Sequence, residues 1–136
     1  MTQEDKELLL KDLSARLSYG VMCQVDDGAA GLNDGKLIEI DISKELVRFD
    51  ADINCYRVAY IDDVKPYLRS MSSMTEEEKR EYYKMLVESQ DCSFENSESA
   101  TTMVNDWLLS KGFDVRGLIS KGLAIAVTEE NNPYKE

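Results

Sequence analysis

The chain has no histidine among its 136 residues. This absence removes the side chain that titrates nearest neutrality. Ser–His and Cys–His nucleophile pairs and histidine-ligated metal sites go with it. Cysteine is scarce, and Cys23, Cys55 and Cys92 form no closely spaced pair, so neither a zinc cluster nor a disulfide framework is expected. The odd count, together with a polar start (Thr2-Gln3-Glu4-Asp5-Lys6), predicts reduced thiols and a cytoplasmic location. Cys23 and Cys55 fall in apolar runs and read as small core residues, while Cys92 sits in a polar stretch and reads as the accessible thiol. The longest apolar run, Leu123-Ala124-Ile125-Ala126-Val127, is far short of the roughly 18 residues that span a bilayer. No glycine-rich phosphate loop is present. No metal, cofactor or membrane partner is expected, and no catalytic residue can be named.

What the chain does have is negative charge, with a formal net value of -11. The charge is uneven. Residues 26–63 carry ten acids against four bases, and residues 75–100 carry eight against three. A field of this sign disfavours nucleic acid and acidic membranes as partners. It suits solubility, or the presentation of an acidic surface to a basic protein.

Patterning predicts an α+β fold. Leu9, Leu13 and Leu17 recur at helical spacing with Leu10 alongside, giving a first helix from Thr2 to about Leu17 that Gly20 ends. Val21, Cys23 and Val25 alternate as a strand. A turn from Asp26-Asp27-Gly28 to Asn33-Asp34-Gly35 follows. In Lys36–Ile42 the isoleucines at 38, 40 and 42 alternate with Glu39 and Asp41, which predicts isoleucines in the core and acids in water. Strands at Leu46–Phe49 and Cys55–Ile61, the latter with Tyr56, Val58 and Tyr60 on one face, complete a meander over 21–61. Pro66 then marks a break.

Thr75-Glu76-Glu77-Glu78 is a capping box opening a second helix, with Tyr82, Tyr83 and Leu86 on its apolar side. Residues 90–99 read as a polar loop anchored by Phe94. A third helix runs from about Ala100 to Ser110, presenting Met103, Val104, Trp107 and Leu108, with Gly112 as its cap. A short helix over Val115–Lys121, capped by Asp114, and a last strand over Leu123–Val127 follow. The whole is a single α+β domain over 1–128. It has a mostly antiparallel sheet of about five strands, about three helices and one short helix, and a frayed polar tail over 129–136.

Few segments carry chemistry. Asp50-Ala51-Asp52-Ile53-Asn54 opens like a calcium loop, but Cys55 stands where that loop needs glycine and Ile61 where it needs a bidentate glutamate. A link between two strands accounts for it without an ion. The helix, turn, helix and strand order of residues 100–127 is that of a winged nucleic-acid reader. Its bases, Lys111, Arg116 and Lys121, are largely offset by Asp106 and Asp114. Residues 64–74 are apolar, hold Lys65 and Arg69, and contain no acid. Lys65, Pro66, Tyr67, Leu68, Arg69, Met71 and Met74 there form a candidate protein-contact loop. The alternative is that Tyr67, Leu68 and Met71 cover one end of the core.

Lys65-Pro66-Tyr67-Leu68-Arg69 with Met71–Glu78, the opening Leu10–Leu17 with Tyr19-Gly20-Val21, and Trp107-Leu108 with Phe113–Ile119 and Lys121–Ala124 resemble small uncharacterised proteins of Bacteroides-type gut bacteria. Many of these are associated with prophages or other mobile elements. The resemblance implies a bacterial cytoplasmic setting and phage-related origin, and brings no activity, cofactor or catalytic residue. The expected function is therefore a non-enzymatic protein-binding or regulatory module with an unidentified, basic partner. Nothing in the sequence sets its oligomeric state. The alternatives are an acidic DNA mimic that inhibits a host nucleic-acid-binding protein, a small carboxylate-dependent enzyme, and a nucleic-acid reader through residues 100–127.

Overall fold

A computed structural model describes residues 1–26, 31–52, 55–91 and 97–134. Cys92 and Phe94 of the expected polar loop, Asp27 and Gly28 of the expected turn, Ile53 and Asn54 of the calcium-like run, and the side chains of Cys55 and Tyr56 lie outside the described residues.

The fold is α+β. One mixed six-stranded sheet has the order β4-β3-β2-β1-β5-β6, formed by β1 (Met22–Asp26), β2 (Leu32–Asp41), β3 (Leu46–Asp52), β4 (Cys55–Tyr60), β5 (Val64–Leu68) and β6 (Ile125–Ala126). It is joined by α1 (Gln3–Arg16), α2 (Glu76–Asp91) and α3 (Ser97–Ser110). Strands β1 to β4 form the expected antiparallel meander. β5 then pairs antiparallel with β1 and parallel with β6.

Only a 3-10 turn, Ile61–Asp63, joins β4 to β5, although three strands lie between them in the sheet. A flat sheet would hold β4 and β5 about 19 Å apart at the usual strand spacing, and four residue steps reach at most about 14 Å. The sheet must therefore curl until the end of β4 approaches the start of β5. Leu9, Leu10 and Leu13 of α1 bury themselves against its inner face with Val25, Leu37, Val47 and Phe49. α1 starts on its own capping box, Thr2 Oγ1 accepting from Asp5 N at 3.1 Å.

Three expectations need correction. First, the isoleucines do not form a core row. Ile38 is 37% exposed and Ile42 63% exposed, and only Ile40 packs partly against the core. The cause is an irregularity between Leu37 and Glu39. Leu37 pairs with Phe49 and Glu39 with the next residue, Arg48, so Ile38 is the extra residue of a bulge. Leu37 takes the buried place, and the inward set resumes at Ile40 opposite Val47.

Second, the expected turn is shorter, because Asn33, Asp34 and Gly35 already lie in β2 opposite β1. Gly35 lets β3 approach closely there, since an added Cβ would sit 3.1 Å from the Phe49 Cβ and 3.3 Å from Asp50 O. Third, residues 115–121 are not helical. Asp114 accepts from Leu118 N and Ile119 N, both at 2.9 Å, and caps a single turn that closes with Leu123 N donating to Leu118 O. Gly112 ends α3 as expected, with a φ of 81° and with Phe113 N donating to Leu108 O at 3.0 Å.

α2 and α3 pack on each other through a second cluster of Met74, Val104, Leu108 and Phe113, with Tyr82 and Trp107 alongside. Of the two adjacent tyrosines, Tyr82 faces this cluster and Tyr83 is 63% exposed. Met103 stands outside it, 66% exposed. The tail expected to fray reaches back to the sheet through Tyr134. Its hydroxyl donates to Tyr67 O at 2.9 Å and accepts from Met22 N at 3.0 Å.

Candidate functional site

Of the segment 64–74, expected as a contact loop, the first half runs through the interior of the sheet and Met71–Ser73 form a 3-10 turn leading to α2. Val64–Leu68 is β5, flanked by β1 and β6, with Cys23 opposite Pro66 and Tyr67 opposite Ile125. Pro66, Tyr67 and Leu68 are buried, as is Met74, while Lys65 and Met71 are exposed. Tyr67 donates to Asp34 Oδ1 at 2.7 Å and accepts from Gln24. Burial, reinforced by the Asp34 hydrogen bond, pushes its phenol up to about 12. The bland alternative, that these side chains cover the core, describes Tyr67 and Leu68 and fails for Met71.

Arg69 is likewise committed to the architecture. Its two terminal nitrogens reach the Glu78 carboxylate at 2.8 and 2.6 Å, and its guanidinium lies 4.3 Å from the centre of the Phe113 ring. The bidentate pair holds the Glu78 carboxyl down to about 2. Glu78 also completes the Thr75 capping box, accepting from Thr75 N at 3.0 Å while its own N donates to Thr75 Oγ1 at 3.2 Å. One carboxylate thus starts α2 and ties it to the end of β5.

Beside Arg69 lies a cleft of about 260 Å³ between the end of α1, the end of β5 and the end of α3. This volume is near the lower bound of ordinary ligand pockets. Its polar lining includes Arg16, Tyr19, Arg69, Lys111, Asn132 and Tyr134, and among the described residues no acid lines it. In a chain of net charge -11, a cleft whose described lining holds three cations and no carboxylate is a local reversal of sign.

Arg16 is the unusual member, at 1% exposure. Its Nε donates to Asp12 Oδ2 at 2.7 Å, and its Nη2 donates to Phe113 O at 2.6 Å and Asp12 Oδ1 at 3.3 Å. Its Nη1 is buried and has no hydrogen-bond partner among the described residues. An unmet buried donor costs about 1–3 kcal/mol, and more when charged. Arg116 also reaches Asp12 Oδ1, at 3.4 Å, so one buried carboxylate serves two guanidinium groups and one positive charge is left over. Lys111 is exposed and makes no ion pair among the described residues. The spacing of Asp12 and Arg16 at i and i+4 was the signal available in the sequence, although nothing local marks the pair as buried.

The opposite end of the sheet has a different character. Among the described residues β4 pairs with β3 alone, and its outer edge is free of any strand. Val58 is 53% and Tyr60 63% exposed there. Acids flank the strand: Asp62 and Asp63 follow it, and Asp50 lies opposite Tyr56.

The two described carboxylates with displaced titration, Asp41 and Glu78, are both pushed down, Asp41 by the hydroxyl of Ser43 first and the amide of Lys44 second. No group of three or more potential metal ligands gathers among the described residues. No described helix is long and apolar enough to cross a membrane. Comparison with protein families, with curated proteins and with solved structures gives no match to this chain.

Proposed function

We propose that the chain is a non-enzymatic protein-binding module that receives an extended, basic segment of a partner protein along β4. The observation that carries this reading is the outer edge of β4, which no strand covers among the described residues. A strand edge offers a row of backbone donors and acceptors to an incoming strand, with alternate side chains supplying selectivity. Val58 and Tyr60 supply exposed apolar contacts, and Asp50 and Asp63 supply charge complementary to lysine or arginine, while Asp62 is already within 3.5 Å of Lys6. Self-pairing at this edge is opposed by a net charge of -11 on each copy. A cytoplasmic setting and a phage-related bacterial origin belong to the same proposal.

The other readings have less support. Exposed acids occur on α1 (Glu4, Glu7), on the sheet (Glu39, Asp50), on α2 (Glu76, Glu77, Glu81) and on α3 (Asp106), rather than along the single ridge that mimicry of DNA needs. The turn found at residues 118–122 supplies no recognition helix for a nucleic-acid reader. Two carboxylates, Glu39 and Asp41, line a smaller recess of about 140 Å³ beside β3, but Glu39 is paired with Arg48 and the Asp41 carboxyl is pushed down rather than up, opposite to what a general acid needs.

The test is a titration of the protein with a synthetic peptide of alternating lysine and valine, followed by backbone amide resonances. Perturbations confined to β4 and its neighbours on β3 are expected, with affinity falling as salt rises. The double substitution Val58→Lys, Tyr60→Lys removes the apolar contacts and adds like charge at exposed positions, and is expected to abolish binding. Unchanged binding by that variant, or no binding by the wild-type chain, sinks the proposal.

A further inference from the structure

We propose that the cleft between the ends of α1, β5 and α3 is a seat for a small oxyanion, a carboxylate or phosphate group, held by Arg16 and Lys111. The site is independent of the β4 edge, which lies at the other end of the strand order. Four observations converge on it. Among the described residues the cleft is lined by three cations and by no acid. Arg16, buried at 1% exposure, lines it and keeps Nη1 without a partner among the described residues. Lys111 lines it with no ion pair among the described residues. Asp12 is shared between Arg16 and Arg116, so the buried cluster retains an excess positive charge.

The chemistry of these groups selects the ligand. A guanidinium presents planar N–H pairs that match the oxygens of a carboxylate or a phosphate, and it stays charged at any physiological pH. The ammonium of Lys111 adds a mobile charge with three donors. Arg69 contributes little, because both of its terminal nitrogens are taken by Glu78. Opposing charge comes from the carbonyl ends of α1 and α3, each equivalent to about half an elementary charge. Part of that is already cancelled, since Gly112 N and Phe113 N cover the carbonyls of Leu109 and Leu108 at the end of α3. The full charges of Arg16 and Lys111 outweigh the remainder. A volume of about 260 Å³ admits a small metabolite or the end of a chain, and excludes a folded partner.

Inorganic phosphate and acetate, each titrated in a chloride background of constant ionic strength, test the assignment. The readouts are the Nε–H resonance of Arg16 and the backbone amides of Gly20, Lys111 and Gly112. Saturable shifts at these positions are expected, while the Nε–H of the exposed Arg48 stays unmoved. Phosphate alone saturating points to a phosphorylated ligand, acetate alone to a carboxylate, and both to a general oxyanion seat; each outcome supports the proposal. Lys111→Glu, at an exposed position outside both cores, is expected to weaken binding by about tenfold or more. Shifts that grow linearly without saturating, or equal affinity in Lys111→Glu, overturn the site and leave Nη1 of Arg16 to a buried water.

Discussion

Arg16 reaches back one helical turn to Asp12, its Nε 2.7 Å from Oδ2, and the two side chains are 2% and 0% exposed. Burying both charges removes each from water at a cost of several kcal/mol, which their attraction and shared hydrogen bonds must offset. Removing one partner therefore does more harm than removing both. Asp12→Ala is expected to destabilise the fold by about 3–5 kcal/mol in urea unfolding, because Arg16 is left charged and buried. The double change Asp12→Leu, Arg16→Met is expected to cost less than Asp12→Ala alone. A double variant that unfolds more readily than the single would show that the pair is a net source of stability.

Glu78 links pH to stability through its bond with Arg69. Its folded pKa is held down to about 2 by the Arg69 guanidinium first, against an unfolded value near 4.5. For a carboxyl with a depressed folded pKa, the contribution is complete above the unfolded pKa and is lost as pH falls through the folded one. The window is therefore about pH 5 down to 2. With the partial solvent screening of a side chain 15% exposed, the pair is worth about 1–2 kcal/mol at neutral pH. Glu78→Gln is expected to lose that amount at pH 7 and to show a correspondingly shallower loss of stability across the acid window. Parallel acid profiles for the two proteins would remove Glu78 as the source.

These two pairs also show what the sequence makes legible. The Thr75 capping box and the stripe of Leu9, Leu10, Leu13 and Leu17 depend on neighbours three or four residues away. The box forms as the pattern predicts, and of the stripe Leu9, Leu10 and Leu13 are buried while Leu17, past the end of α1, packs only partly. The bulge at Ile38 depends on how β3 registers against β2, which no local pattern records. Pro66 reads locally as a break, yet β5 is ordered by β1 on one side and β6 on the other, about 40 and more than 50 residues away in sequence. The candidate site is harder still. Arg16 is sealed by a carbonyl at Phe113, 97 residues away, so its burial belongs to the tertiary fold and not to the helix that carries it.

Cys23 should be chemically silent in the folded protein. It is fully buried in the core, and burial first, with the nearby Asp12 charge second, pushes its thiol up to about 12. Thiolate is the reactive form, so at pH 8 only about one molecule in ten thousand carries it. Alkylation with iodoacetamide followed by peptide mapping is expected to leave Cys23 unlabelled until denaturant unfolds the chain. Labelling of Cys23 at a rate comparable to a free thiol under native conditions would mean that the α1 face of the sheet opens locally.

Tyr67 separates a structural role from a contact role for the 64–74 segment. The side chain is 2% exposed and its hydroxyl is shared between Asp34 and Gln24. Tyr67→Ala is expected to cost about 3–5 kcal/mol, the range for emptying a buried aromatic site, and Tyr67→Phe about 1 kcal/mol for the lost hydrogen bonds. A pH profile adds a second readout. The folded phenol titrates at about 12 and the unfolded one near 10, so deprotonation favours the unfolded chain. The stability tied to the protonated phenol is intact below pH 10 and declines as pH rises toward 12. Tyr67→Phe is expected to lack that decline. A Tyr67→Ala protein as stable as the wild type would return this segment to the surface.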